Sequence, residues 1–190
     1  MEQTAQSTPV QFLKGKLVYL RPLEKADMAL FRVWTNDPEI RGLIGEVTPT
    51  SDGETEEWFE KTQSSETRIW FAVVRAQDNR VIGETGLLRM FHPWRTTDLS
   101  IIIGDASARG QGYGREAIDL MLEYAFGYLN FHRVSIGVVG FNHAALRFYE
   151  QVGFKREGIQ RDGYFYNRAY SDFVMMSILD HEFYALHPKP

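Results

Sequence analysis

Residues 98–129 read DLSIIIGDASARGQGYGREAIDLMLEYAFGYL and combine a strand pattern, a glycine-rich turn and a helix pattern. Ile101, Ile102 and Ile103 form a short β-branched run, which predicts a buried strand rather than a helix. From position 117 to position 129 the apolar residues recur with the spacing of one helix face. The stretch therefore predicts a strand, a turn and an amphipathic helix in immediate succession.

The turn of this stretch has the chemistry of an anion site. Its alternating glycines let the backbone adopt positive φ angles and approach a ligand closely. Unpaired amides at the helix start, together with the helix dipole, favour a negative charge, and we expect a pyrophosphate there. The residues expected to surround it are Arg109, Gly110, Gln111, Gly112, Tyr113, Gly114 and Arg115.

A Rossmann dinucleotide site is an alternative interpretation of this turn, because Gly112-x-Gly114-x-x-Ala117 fits its loose glycine pattern. It would predict NAD(P) binding and oxidoreductase chemistry. A Rossmann loop, however, follows the first strand of its unit, and an acidic residue ends the next strand. Here the next predicted strand, residues 133–139, runs into Gly-Phe-Asn, which disfavours this alternative.

Two ordered motifs resemble those of the GNAT N-acetyltransferases, a family that acylates amines with acetyl-CoA. Arg109-x-x-Gly112-x-Gly114 resembles the family's pyrophosphate loop, and the run from Asn142 through Tyr149 to Gly153-Phe154 resembles its second signature. The resemblance extends over about residues 16–179. It implies an α/β (α+β) fold with a mixed central sheet of about seven strands, about four helices and splayed central parallel strands.

The resemblance also implies the roles of the site residues, with acetyl-CoA as co-substrate and direct transfer to a primary amine. The backbone of Ile101, Ile102 and Ile103 would bond the pantetheine arm, and an amide near Ile103 would polarise the thioester carbonyl. Tyr149 would be the general acid, because a phenol with a pKa of about 10 can protonate a thiolate. The alternative is that Tyr149 only packs in its helix. Asn142 would cap that helix and also bond pantetheine.

The general base is predicted from strand position alone. Glu84 is the first candidate, because it lies on the strand before the central one and is flanked by Gly83 and Gly86. Asp98 is the second candidate, and an ordered water chain is the third. For both carboxylates, a surface charge on a strand is the default interpretation.

The acceptor stays open at this stage. The stretch from Phe126 to Arg133 and the late segment from Tyr164 to Asp172 resemble two branches of the family, the ribosomal-protein N-terminal acetyltransferases and the spermidine acetyltransferases. Phe148-Tyr149-Glu150 favours a polyamine-like amine over a peptide amine, whereas the few carboxylates in residues 42–53 argue against a multiply charged substrate. Side chains that could touch the acceptor, or simply be structural, are Trp34, Glu39, Glu46 and Trp58. A CoA-binding sensor or assembly module without catalysis is the competing function.

Composition narrows the partners. The net charge of −4 argues against nucleic acid, and the five histidines show no metal-ligand spacing. The absence of cysteine excludes disulfides and an acetyl-cysteine intermediate. No apolar window is long enough to span a membrane and the N-terminus lacks a signal pattern, so we expect a cytoplasmic protein. The oligomeric state, a homodimer or larger homo-oligomer being the options, is open.

The remaining segments complete the expected organisation. We expect a flexible tail at 1–14 and a single domain at 15–190. Ahead of the central stretch we expect a strand at 17–20, a helix at 26–35, a loop at 41–49, a capped helix at 55–61 and a hairpin at 70–75 and 80–88. After it we expect a strand at 133–139, a helix at 144–151 and strands near 155–158 and 170–178.

Overall fold

Two strands in the middle of the sheet, β5 (Thr96–Ile102) and β6 (Arg133–Val139), run parallel, whereas the neighbouring pairs are antiparallel. The structure is a computed structural model that describes residues 10–188. Its sheet has the order β1-β2-β3-β4-β5-β6-β8-β7. The strands are β1 (Leu13–Lys14), β2 (Val18–Pro22), β3 (Ile69–Arg75), β4 (Arg80–Phe91), β5 (Thr96–Ile102), β6 (Arg133–Val139), β7 (Lys155–Tyr166) and β8 (Ala169–Leu179).

The parallel pair separates along its length. Register runs from Thr96↔Arg133 to Asp98↔Ser135, and then β5 and β6 continue without pairing to each other. Beyond this last pair, the backbone groups of β5 and β6 that face each other are therefore available along the two inner edges of the gap. This confirms the predicted splayed central strands.

Helices cover both faces of the sheet. They are α1 (Met28–Asn36), α2 (Pro38–Ile44), α3 (Asp52–Gln63), α4 (Tyr113–Glu123), α5 (His143–Val152) and α6 (Asp180–Leu186), and a π-helical turn, Tyr124–Tyr128, extends α4. Strand residues alternate between two cores, as the period of a strand requires. On β3, Phe71 and Val73 join the core that contains the buried face of α4, whereas Ala72 and Val74 join the core under α1.

Several predicted elements are confirmed. The capping box of Ser51 and Glu54 opens α3, and the Asn142 side chain caps α5 by accepting from the Ala145 amide at 3.0 Å. Residues 133–139 form β6 with the predicted bounds.

Within residues 10–188, no helix combines the length and the apolar character that a membrane crossing needs.

The structure refines the predicted counts and corrects two other predictions. The described part of the chain has eight strands and six α-helices, and the predicted counts of about seven and about four were approximate. Residues 41–44, predicted as loop, belong to α2, because the Asp37 side chain caps that helix and Pro38 begins it. The predicted tail is also partly ordered: Leu13–Lys14 pairs with β2, and the Phe12 ring stacks on Phe71. Residues 1–9 of that tail lie outside the described residues.

Candidate active site

A cleft of about 690 Å³ fills the gap between β5 and β6. Its walls are the splayed strands, including Ile101, Ile102 and Ile103 on one side and residues 136–139 on the other. Asn142 and Tyr149 line it from α5. The cleft thus brings together the predicted strand, Asn142 and Tyr149, which are up to 48 positions apart in the sequence.

Helix α2 forms another wall of this cleft and is fastened on both sides. Glu39 in its first turn faces Arg109 across 3.4 Å, and the Tyr164 hydroxyl of β7 donates to the Gly42 carbonyl at 2.7 Å. Gly42 has no side chain because the Tyr166 ring occupies that space. The β7–β8 hairpin therefore clasps α2 over the cleft.

Tyr149 is 7% exposed and packs between Phe148 and Phe154, whose ring centroids are 5.3 and 5.6 Å away. Burial raises the pKa of Tyr149, because the phenolate would be poorly solvated there. The side chain is therefore a protonated phenol at neutral pH. It holds a proton that a base formed in the cleft could take, and the raised pKa makes this phenol a weaker acid than an exposed tyrosine.

The glycine-rich turn leaves backbone donors free, as predicted. Gly110 and Gly112 have φ angles of 72° and 87°, the left-handed region that favours glycine. The first intrahelical bond of α4 runs from the Glu116 amide to the Gly112 carbonyl at 3.1 Å. The amides of the three residues before Glu116 consequently have no intrahelical acceptor and can bind an anion.

The polar side chains of this turn form hydrogen bonds and ion pairs with other residues of the chain. The Arg109 guanidinium donates to the carbonyls of Ile103 and Gly104 at 3.0 and 3.3 Å. Arg115 pairs with Asp119 at 3.0 Å and donates to the Gln151 carbonyl at 2.9 Å. Gln111 donates to the Ser107 carbonyl, and Tyr113 interacts with Arg75. The side chains therefore shape the turn, while the amides of its last three residues have no intrahelical acceptor.

A second cavity, of about 470 Å³, adjoins the cleft. The two share the lining residues Ile44, Leu88, Ser100 and Ile102, so they are adjacent at β5. Glu46, Glu54 and Glu84 supply carboxylates, and Trp58 and Trp70 supply aromatic faces. Three carboxylates beside two indoles form a site suited to cations.

Glu84 is buried in this second cavity, at 8% exposure, so a surface charge on a strand was the wrong default interpretation for it. Burial raises the pKa of Glu84 to about 7, and a hydrogen bond from the Trp70 indole at 3.1 Å partly opposes the rise. A carboxylate with a pKa near the working pH is suited to general-base catalysis. Asp98, the second candidate, pairs instead with the exposed Arg89.

The pairing of β3 with β4 explains why Trp70 reaches Glu84. Trp70 lies opposite Gly86, and Ala72 lies opposite Glu84, so Trp70 and Glu84 are diagonal neighbours on one face of the sheet. A Cβ on Gly86 would collide with the Trp70 ring. The glycine therefore lets the indole lie flat across β4 toward the carboxylate.

The four side chains that were expected near an acceptor lie in different places. Glu46 and Trp58 line the second cavity, and Glu39 lies at the edge of the cleft beside Arg109. Trp34 is buried against Phe31 and the Gly104 backbone and is structural. Among residues 10–188, no group of His, Asp and Glu is arranged to hold a metal ion.

Trp70 and the clasp formed by Tyr164 were missed at the sequence level. Trp70 was assigned only to a strand, and the facing Gly86 was the signal that it needed room. Tyr164 was noted as part of an aromatic segment, but its contact with α2 spans 122 positions of sequence. Such a distant partner leaves no local pattern.

Comparison with known proteins gives the family of this chain and several similar proteins. The family described as "Acetyltransferase (GNAT) domain" matches residues 18–155. The spermidine N(1)-acetyltransferase of Vibrio cholerae is 31% identical over 164 residues, which cover 86% of this chain and 94% of that protein. The crystal structure of a spermidine N-acetyltransferase from Vibrio cholerae with CoA and spermine has a TM-score of 0.84 at 30% identity, covering 89% and 99% of the two chains. A dodecameric structure of that enzyme has a TM-score of 0.78 at 29% identity, covering 92% and 100%.

This chain belongs to the GNAT acetyltransferase family. It is an N-acetyltransferase that transfers an acetyl group from acetyl-CoA to an amine. The comparisons favour neither the non-catalytic CoA-binding module nor the dinucleotide-dependent oxidoreductase.

Proposed function

We propose that this N-acetyltransferase acetylates a small, multiply cationic amine of the polyamine class. The observation that carries the proposal is the second cavity, which is lined by Glu46, Glu54 and Glu84 together with Trp58 and Trp70. The carboxylates come from a loop, from α3 and from β4, so the scarcity of acidic residues in 42–53 does not limit the charge of the site. The relatives named for spermidine acetylation support the same substrate class.

In the proposed complex, acetyl-CoA occupies the first cleft. Its pyrophosphate is held by the amides of the turn at 110–115, and its pantetheine arm follows the free backbone edge of Ile101, Ile102 and Ile103. Asn142 contributes a polar side chain to the same cleft. An amide near Ile103 stabilises the oxyanion of the tetrahedral intermediate. The acetyl group would then reach the residues shared by both cavities.

Proton transfers follow from the two titratable groups. Glu84, directly or through a water molecule, takes a proton from the substrate ammonium, so that the neutral nitrogen can attack the thioester carbonyl. The second nitrogen proton passes to water as the tetrahedral intermediate collapses to the amide. When the C–S bond breaks, Tyr149 gives its proton to the CoA thiolate and is later reprotonated from solvent. A base is needed because an aliphatic amine with a pKa of about 10.4 is neutral only about once in a thousand molecules at pH 7.

An amine panel assayed by release of the CoA thiol tests the substrate class. We expect kcat/KM for spermidine or spermine to exceed that for a monoamine of similar length by about tenfold or more, because the monoamine leaves carboxylates unpaired. Short peptides with free N-termini should be poorer still. A peptide that outperforms every polyamine would overturn the proposal.

Matched variants test whether the second cavity recognises the amine. Glu46→Gln should raise the KM for spermidine more than the KM for the monoamine and leave the KM for acetyl-CoA unchanged. Glu57→Gln is the control, because Glu57 lies on α3 outside the cavity and pairs with Lys61 at 2.6 Å. Equal effects of the two variants on spermidine would contradict the assigned cavity.

We also propose that the chain forms a homo-oligomer, since a related structure is dodecameric. Light scattering after size-exclusion chromatography would test this, and a monomer at assay concentrations would contradict it. The cytoplasmic location predicted from the sequence stays a prediction.

A further inference from the structure

Glu116 lies in the first turn of α4, directly after the predicted pyrophosphate turn, and its side chain bonds to the chain between β1 and β2. Its carboxylate accepts backbone amide hydrogen bonds from Lys16 at 2.9 Å, Leu17 at 2.7 Å and Val18 at 2.7 Å. Three short bonds from consecutive amides to one carboxylate form a strong, directional attachment. They join residues about a hundred positions apart.

The chain that donates these bonds is itself held firmly. Val18 begins β2 and is fully buried, and β2 pairs along its length with β3. The turn between β1 and β2 wraps closely around the carboxylate: a Cβ on Gly15 would lie 2.6 Å from the Glu116 carboxyl group. Glu116 therefore connects the start of α4 to a rigid part of the sheet.

The same turn also lies beside the glycine-rich turn. A Cβ on Gly112 would lie 3.6 Å from the Leu17 side chain, so the two turns are in van der Waals reach. The fully buried residues of α4 begin only at Ala117, after the free amides. Apolar burial is non-directional and anchors the body of the helix, whereas the Glu116 bonds act on its first turn.

We propose that Glu116 is a positioning residue for acetyl-CoA, which holds the amides of Tyr113, Gly114 and Arg115 at the place where the pyrophosphate binds. This inference rests on the proposed function, in which the turn at 110–115 is the pyrophosphate site. A carboxylate is needed because both of its oxygens accept. A glutamine has one acceptor oxygen and would turn an NH₂ group toward an amide that has no other partner.

Two acyl donors test the proposal: acetyl-CoA and S-acetylpantetheine, which lacks the pyrophosphate. In Glu116→Gln we expect the KM for acetyl-CoA to rise about tenfold with kcat retained, because small misplacements of binding groups have effects of this size. The kcat/KM for S-acetylpantetheine should stay at the wild-type value. Gly15→Ala, which pushes on the carboxylate from the other element, should reproduce this pattern.

The controls separate positioning from other roles. Glu123→Gln lies two turns further along the same side of α4 and should leave both donors unaffected. Glu116→Asp keeps the negative charge near the helix start but has a shorter reach, so it should resemble Glu116→Gln. Recovery of wild-type kinetics in Glu116→Asp would overturn the proposal, since charge alone would then suffice. Thermal unfolding checks that each variant is folded. If Glu116→Gln does not fold, Gly15→Ala still tests the proposal.

The outcomes also distinguish this proposal from the one on which it rests. A wild-type enzyme that uses both donors equally well would refute the pyrophosphate site and the role of Glu116 together. A wild-type preference for acetyl-CoA that survives in Glu116→Gln and Gly15→Ala would refute only the role of Glu116. Equal losses with both donors would mean that Glu116 supports the fold in general, and would also overturn the proposal.

Discussion

The two cavities that meet at β5 are built in different ways. The cleft between β5 and β6 presents backbone edges, glycine conformations and apolar walls, and most of its residues lie between positions 98 and 149. The second cavity presents carboxylates and indoles carried by segments from Phe31 to Ile102. Main-chain groups suit a co-substrate that a whole family shares, because they depend on fold more than on side chains. Side chains suit the acceptor, which differs between members.

The two cavities also differ in their titratable groups. In the cleft, burial raises the pKa of Tyr149 and keeps a proton on the phenol. In the second cavity, burial raises the pKa of Glu84 to about 7, so that this carboxyl group is partly ionised at neutral pH. Burial thus keeps a proton on Tyr149 on one side of β5 and leaves Glu84 partly ionised on the other, which are the states that the proposed acid and base require.

The largest effect is expected from removing the Tyr149 hydroxyl in the cleft. Tyr149→Phe should lower kcat by about 100-fold, the usual contribution of a general acid, with the KM for each substrate nearly unchanged. The aromatic contacts with Phe148 and Phe154 persist in the variant, so the thermal unfolding temperature should remain close to that of the wild type. Steady-state kinetics with acetyl-CoA and spermidine give the answer. Full activity would make Tyr149 a packing residue and move the acid elsewhere.

Glu84→Gln should change activity and stability in opposite directions. We expect kcat/KM for the amine to fall by about 10- to 100-fold and to lose its inflection near pH 7, because the base is gone. The folded-state pKa of about 7 lies above the ordinary 4.5, so the folded protein holds this proton more tightly. The associated stability is complete below the ordinary pKa and is lost as the pH rises through about 7.

The stability difference is measurable by urea unfolding at several pH values. Between pH 4.5 and 8 the wild-type protein should lose roughly 3 kcal/mol of unfolding free energy through Glu84, and Glu84→Gln should not show this loss. Tyr149→Phe is the control, since it leaves Glu84 in place and should retain the wild-type slope. Parallel slopes for wild type and Glu84→Gln would place the Glu84 carboxyl group in contact with solvent.

The same contrast explains what sequence reasoning could predict. The positive φ angles of Gly110 and Gly112 and the helix cap by Asn142 were predicted correctly, because turn conformation and helix capping are local properties that each residue type signals by itself. Asp37-Pro38 carried an equally local signal for the start of α2, but only a helix at 26–35 and a loop at 41–49 were predicted around it. A segment of seven helical residues is too short to show a helix period.

The surroundings of Glu84 could not be predicted, because they depend on a register shift. The hairpin turn pairs Arg75 with Arg80, and that register continued along the strands would set Glu84 opposite Phe71. A bulge at Ile82 shifts the pairing by one residue, so that Glu84 lies opposite Ala72 and on the face of Trp70. One inserted residue therefore decides which side of the sheet receives the carboxylate.

A smaller effect is expected when the indole donor beside Glu84 is removed. Trp70→Phe keeps a ring against Trp58, 5.4 Å away in the wild type, but loses the hydrogen bond that favours the ionised carboxylate. The pKa of Glu84 should then rise above about 7, and the acidic limb of kcat/KM should move to higher pH. A bond of about 1 kcal/mol corresponds to a shift of about 0.7 pH units. The pH–rate profile measures this, and an unshifted limb would show that Glu84 does not control it.

The smallest effect separates two roles of Asn142, which caps α5 and also lines the cleft. Asn142→Ala should cost about 1 kcal/mol of unfolding free energy through the lost cap and should also raise the KM for acetyl-CoA a few-fold. Asn142→Asp retains an acceptor for the Ala145 amide but has no NH₂ group to donate to pantetheine. It should therefore unfold like the wild type in urea and still show the raised KM. A normal KM in Asn142→Asp would confine Asn142 to capping, and the polar recognition of pantetheine would then come from the backbone of β5, as the construction of the cleft from main-chain groups requires.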